Sequence, residues 1–169
     1  MPDRLAIAVP SPLRRLLLQG PVAASWLPVQ PLRALETGSR AALRLGPDEW
    51  LLLASEADPI AAEIAAAFAD TPHCLVDVSH RQMALTLTGP DAAQTLNGAV
   101  PLDLALAAFP VGMCTRTIFE KTGITLWRRA AEVFHLEVGR SLLPYVRGML
   151  EVIAGGDRGV VSEEGSASF

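Results

Sequence analysis

Apolar residues recur along this chain with two spacings, every second residue in some stretches and every third or fourth in others. Leu43 to Leu45 reads as a short strand, Gly46-Pro47-Asp48-Glu49 as a turn, and Trp50 to Ala54 as the return strand. Asp58 and Pro59 then supply a helix start, an N-cap acceptor followed by a proline suited to the first turn. The stripe Ile60, Ile64, Ala67, Phe68 follows at helical spacing. Further along the plan repeats. Ile124 to Arg128 predicts a strand, Arg129 to Glu132 a turn and Val133 to Val138 the return strand. In that last strand Phe134, Leu136 and Val138 share one side, and His135 and Glu137 share the other, which reads as an outer face. A helix starting near Ser141 would carry Leu142, Tyr145, Val146, Met149, Leu150 and Ile153 as its stripe.

Two strand–turn–strand–helix units predict an α+β fold, a pseudo-duplicated and mostly antiparallel sheet with both helices on one face. Between the units, Leu75 to Val78 and Met83 to Thr88 read as strands. Pro90 to Leu96 reads as a short helix stopped by Asn97-Gly98. Cys114 to Phe119 pairs in this reading with Ile124 to Arg128 across the loop 120–123.

The flanks lack such periodicity. Residues 1–30 read as an irregular leader, in which Arg14 to Gln19 could make a short helix and Pro21, Pro28 and Pro31 keep the chain extended. Residues 31–154 form the packed domain, and the Gly-, Ser- and acid-rich residues 155–169 read as a flexible tail. Only five apolar residues, Leu5 to Val9, precede Pro10, too few for an export signal, and no run approaches a membrane span. A soluble cytoplasmic protein is the expectation. Cys74 and Cys114 sit in apolar surroundings without a ligand pattern and read as reduced, mostly buried thiols.

Net charge is −4, which gives no electrostatic case for nucleic acid. Lys121 is the only lysine among 14 basic residues. The apolar share is 50% before 13 glycines are counted, whereas ordinary domains reach roughly 45–50% with glycine included. Part of the excess is alanine. The rest suggests a permanent partner, since obligate interfaces resemble cores cut in half.

No phosphate cradle, dinucleotide fingerprint, metal cluster or nucleophile–base set is legible. Asp77-Val78-Ser79-His80-Arg81 gathers an acid, a hydroxyl and an imidazole, but neighbours along a strand end cannot aim at one another, so these side chains read as satisfying backbone groups. His73 falls in a loop. Arg116, Lys121, Arg128 and Arg129 could gather around the 114–129 hairpin, as a solvated face or as a basic patch for an acidic partner or a folate tail. Trp50 and Trp127 read as core or interface anchors. No catalytic, cofactor-binding or metal-ligating residue is assigned.

Longer motifs carry a resemblance. Leu45-Gly46-Pro47-Asp48-Glu49-Trp50-Leu51-Leu52, the Asp77–Arg81 stretch, Leu87-Thr88-Gly89-Pro90-Asp91-Ala92 and Asn97-Gly98-Ala99-Val100-Pro101-Leu102-Asp103-Leu104 occur in order. Phe109-Pro110-Val111-Gly112, Arg116-Thr117 and Phe134 to Ser141 follow them. This set resembles the γ subunit family of heterotetrameric sarcosine oxidase over roughly residues 31–154 and, more distantly, the folate-binding module of the glycine-cleavage aminomethyltransferase family. In the latter a functional carboxylate lies just after a glycine–isoleucine pair. Here Gly123-Ile124 is followed by Thr125-Leu126-Trp127-Arg128, with no acid. The lysine–glycine–cysteine–tyrosine signature of the related iron–sulfur assembly folate proteins is also missing.

The resemblance implies a subunit of an α, β, γ, δ complex that demethylates sarcosine oxidatively. It implies FAD, FMN, NAD and tetrahydrofolate on the larger subunits, none on this chain, and packing chiefly against the α subunit with β and δ in the same complex. The competing reading is a free-standing folate-binding or one-carbon transfer protein. That reading needs a pocket carboxylate beside the 114–129 hairpin, for which Glu120 or Asp103 would have to substitute.

Overall fold

The structure, a computed structural model, describes residues 4–156. Ten strands run β1 Ala6–Ala8, β2 Leu13–Gln19, β3 Ala34–Thr37, β4 Arg40–Gly46, β5 Glu49–Ser55, β6 Cys74–Asp77, β7 Gln82–Thr88, β8 Cys114–Phe119, β9 Thr122–Ala130 and β10 Val133–Gly139. Helix α1 spans Ile60–Ala67, α2 spans Ala92–Asn97 and α3 spans Leu143–Gly156, entered through a single 3-10 turn at Arg140–Leu142. The strands form two five-stranded sheets, ordered β1-β7-β10-β9-β8 and β3-β4-β5-β2-β6, with every pairing antiparallel.

The two repeated units are present, but each belongs to its own sheet. β4, β5 and α1 build the second sheet; β9, β10 and α3 build the first. Each sheet carries helices on one face, and the other two faces meet. The reason is legible in β5, where Trp50 to Ala54 are all buried. Trp50, Leu52 and Ala54 pack toward Ile60, Ile64 and Phe68 of the α1 side. Leu51 and Leu53 pack the opposite way, with Leu43, Cys114 and Trp127. A strand apolar on both sides must be covered on both sides. Full burial of each such leucine contributes about 1.5–3 kcal/mol, enough to hold the second layer in place. Behind the first sheet, Leu85, Leu126, Phe134 and Leu136 pack against Leu96 of α2 and Val146 and Leu150 of α3.

Several expectations are corrected. Of the irregular leader expected over 1–30, the described residues 4–30 hold two strands: β1 borders β7, and β2, which replaces the helix expected over Arg14 to Gln19, lies between β5 and β6. The run Leu16-Leu17-Leu18 fits either period, and pairing on both strand edges decides for the strand. The β3–β4 hairpin was not anticipated, and α3 continues through Gly155 and Gly156, residues expected in the tail. The remainder of that tail lies outside the described residues. Cys74 is exposed on the edge strand β6, whereas Cys114 is buried.

Two glycines in the motif stretches are fixed by close approach. Gly89 has φ +131°, and a Cβ there would stand 2.3 Å from the Arg4 carbonyl oxygen. Asp91 beside it takes a bidentate ion pair from Arg4, so the Gly-Pro-Asp-Ala turn fastens β1. At Gly98 a Cβ would fall 2.8 Å from Ile153 Cγ2, which explains why α2 ends on a residue without a side chain where α3 crosses it.

Candidate functional site

The polar face of β10 does not look outward. Because β2 and β10 lie in facing sheets, His135 and Glu137 project into the seam between them, where Arg15 projects from the other side. Glu137 Oε2 accepts from Arg15 Nε at 2.5 Å and Oε1 accepts from His135 Nε2 at 2.7 Å. Arg15, His135 and Glu137 are 4%, 5% and 1% exposed. An isolated charge in such a place would cost several kcal/mol, so the pairing is obligatory. Arg15 is fixed further by its Nη1 bond to the Leu13 carbonyl and by Ser79 Oγ, which accepts from the Arg15 backbone N–H. Two more arginine–glutamate pairs join the sheets at the rim. Arg116 of β8 binds Glu49 of β5, with Nη1 2.8 Å from Oε2, and Arg129 of β9 binds Glu36 of β3 through Nε at 2.8 Å.

The residues singled out from the sequence are scattered. In the Asp77–Arg81 stretch, Asp77 Oδ1 accepts from the Ser79 backbone N–H and the Val78 N–H bonds the Arg15 carbonyl. Hydrogen bonds from Ser79 hold the Asp77 carboxyl below the usual aspartate range. His80 offers its backbone carbonyl to Arg140 Nε. The cluster is strand-end wiring that positions Arg15. His73 bonds the Thr71 carbonyl through Nδ1 and sets its ring against Phe68.

The arginines of the hairpin do not form one patch. Arg116 and Arg129 are used between the sheets, and Arg129 also lies over Trp127. Arg128 points into the core, donating to the carbonyls of Leu104, Phe109 and Ala131 and covering the Phe134 ring at 4.6 Å. Burial lowers its pKa from the usual guanidinium value. Lys121 is exposed in the β8–β9 turn. Trp50 and Trp127 are both core residues.

No acid follows Gly123-Ile124, but one stands beside it. Thr125 pairs across the ladder with Glu137, so a buried carboxylate occupies the neighbouring strand at the same level. Neither substitute weighed from the sequence reaches that place. Glu120 sits in the β8–β9 turn with φ +53°, and Asp103 accepts from the Ala105 backbone N–H. Sequence reasoning missed the Arg15–Glu137–His135 cluster because alternation places His135 and Glu137 together but says nothing about a second sheet. The signal available was the pair of two-sided strands, β2 and β5. Within the cluster each carboxylate oxygen of Glu137 accepts from one donor, a guanidinium on one side and a ring nitrogen on the other. Among the described residues no three His, Cys, Asp or Glu side chains gather as metal ligation requires.

Residues 22–154 match the family described as sarcosine oxidase, gamma subunit family. Proteins named sarcosine oxidase subunit gamma from Corynebacterium sp. (strain P-1) and Arthrobacter sp are 36% and 34% identical over 96 residues. That stretch is 57% of this chain and 47% of each relative, so the chain spans about half the length of the curated relatives it matches. Among solved structures, the heterotetrameric sarcosine oxidase from Corynebacterium sp. U-96 in complex with pyrrole 2-carboxylate contains a similar chain. The TM-score is 0.83 at 23% identity, covering 96% of this chain and 90% of that one. The glycine cleavage system aminomethyltransferase T from Bartonella henselae gives a TM-score of 0.66 at 16% identity, over 87% of this chain and 45% of that one. At these identities the likeness establishes the fold, the α+β aminomethyltransferase-like arrangement the motifs implied.

Proposed function

This chain belongs to the sarcosine oxidase, gamma subunit family, and from that premise we propose that it is the non-catalytic γ subunit of a heterotetrameric sarcosine oxidase. In this reading it packs on the α subunit and stabilises the complex, with β and δ completing the assembly. The complex oxidatively demethylates sarcosine to glycine, with hydrogen peroxide and formaldehyde or methylene-tetrahydrofolate as the other products. FAD, FMN, NAD and tetrahydrofolate belong to the larger subunits, and the assembly works in the cytoplasm. No helix among the described residues is long and apolar enough to cross a membrane.

The family match over residues 22–154 carries the proposal. The seam supports the inert role: the buried carboxylate beside the 114–129 hairpin is already engaged by Arg15 and His135, so a ligand would have to compete with a buried ion pair for it. Apolar surface supports the partner. Leu142 of the 3-10 turn and Tyr145 and Val152 of α3 are exposed, Val152 by 67%, and Val29 is exposed by 83%.

The test is co-expression of the tagged chain with the large subunits, followed by affinity capture and quantitation of each band. A one-to-one complex containing all four chains is the expected result. Recovery of the tagged chain alone, together with saturable tetrahydrofolate binding by it, would move the account to the free-standing folate protein.

A further inference from the structure

We propose that the cleft at one end of the seam is a binding site for a small organic carboxylate with an apolar body. The site lies where the chain crosses from β1 in one sheet to β2 in the other, and it encloses about 570 Å³. Pro10, Pro12, Leu13 and Met83 give it apolar walls, and Arg15, at the edge of the buried cluster, reaches it from within the seam. Arg140 lines it too, its Nε held by the His80 carbonyl, and His80 and Glu56 complete the charged and titratable lining.

Arg15 is the group that would recognise the ligand. A guanidinium carries five N–H donors in one plane. Here Nε is taken by Glu137 and Nη1 by the Leu13 carbonyl, and Nη2 has no protein acceptor among the described residues. The side chain is only 5% exposed and cannot swing out to solvent, because its position is set from the seam side. A buried cation with an unused donor edge along an apolar-walled cleft matches a planar acceptor, and a carboxylate fits a guanidinium edge best. Two cations line the cleft, Arg15 and Arg140, against the single carboxylate of Glu56, while Glu137 engages the far side of the guanidinium. Beside the Ser11 and Ser79 hydroxyls, the walls of Pro10, Pro12, Leu13, Met83 and Ala84 favour an apolar body on the ligand.

Titration of the full-length chain with benzoate, followed through the Arg15 Nε–H signal by NMR, tests the site, with benzamide as the neutral isostere. Benzoate should shift that signal saturably and bind about tenfold more tightly than benzamide. Arg15 substitutions also undo the seam, so the deciding variant is Arg140→Glu, which is exposed at the rim and leaves the buried cluster intact. It should weaken benzoate about tenfold and leave benzamide unchanged. Equal response to the two probes, no saturation, or an Arg140→Glu variant that binds benzoate like the parent would assign the cleft to water and overturn the proposal.

Discussion

Replacing Glu137 by glutamine tests how far the two sheets depend on their buried polar cluster. The substitution keeps the shape and one carbonyl acceptor but removes the charge that compensates Arg15. With Arg15 only 4% and Glu137 only 1% exposed, water cannot take over that role. Breaking a buried pair by neutralising one partner costs about 3–5 kcal/mol, because the other charge stays desolvated. For a domain of this size each kcal/mol lowers Tm by about 2–4 °C, so a fall of about 6–20 °C is expected. The triple replacement Arg15→Met, His135→Phe, Glu137→Leu should behave differently. It removes the charges together with their desolvation, and its stability should lie within about 1 kcal/mol of the parent or above it. Urea unfolding monitored by tryptophan fluorescence measures both. A single-variant cost under about 1 kcal/mol would place the pair in solvent-screened surroundings and refute the description of the seam.

Other outcomes follow from the same structure. Arg128→Ala strands the carbonyls of Leu104, Phe109 and Ala131 and should cost about 2–3 kcal/mol in urea unfolding, with Arg128→Lys recovering only part, since an ammonium cannot reproduce the planar fork. Ellman's reagent should label one thiol per native chain quickly and the second only on unfolding, because Cys74 is exposed while burial pushes the Cys114 thiol up to about 12. Cys74→Ser should abolish the fast phase. Stability should fall in acid: Arg116 holds the Glu49 carboxyl and Arg40 the Asp58 carboxyl below their ordinary values. Such groups contribute above the unfolded-state value, about 4, and lose that contribution as pH falls through the folded one. Arg116→Gln should flatten the acid limb of a Tm-against-pH curve.

Much of the fold was legible because it rests on local signals. The alternation in Val133 to Val138, the Asp58-Pro59 start of α1 and the Asn97-Gly98 end of α2 each depend on residues close in sequence. The N-cap of α1 is Pro59 rather than Asp58, although Asp58 Oδ1 accepts from the Ile60 N–H at 2.9 Å just ahead of the helix. What local signals could not convey was which strands share a sheet. Leu16-Leu17-Leu18 is apolar on both sides whether helix or strand, and only its pairing with Leu52 of β5 and Asp77 of β6 defines it. The same gap hid the seam. His135 and Glu137 sit at alternate positions of a strand whose other face is apolar, a pattern that ordinarily means solvent. The second sheet turned that polar face into an interior, and Arg15, more than a hundred residues away, into its counter-charge. The motifs Gly89-Pro90-Asp91-Ala92 and Asp77-Val78-Ser79-His80-Arg81 serve architecture rather than chemistry: both tie N-terminal strands, β1 and β2, onto the body of the fold.

Add-back decides whether this chain is an assembly subunit without chemistry of its own. The complex prepared without this chain and the purified chain are each assayed for sarcosine-dependent peroxide formation, then mixed and assayed again after mild heating. An assembly subunit gives no turnover alone and a longer-lived activity once it is restored. Turnover by the chain alone, or a half-life indifferent to its presence, would contradict it.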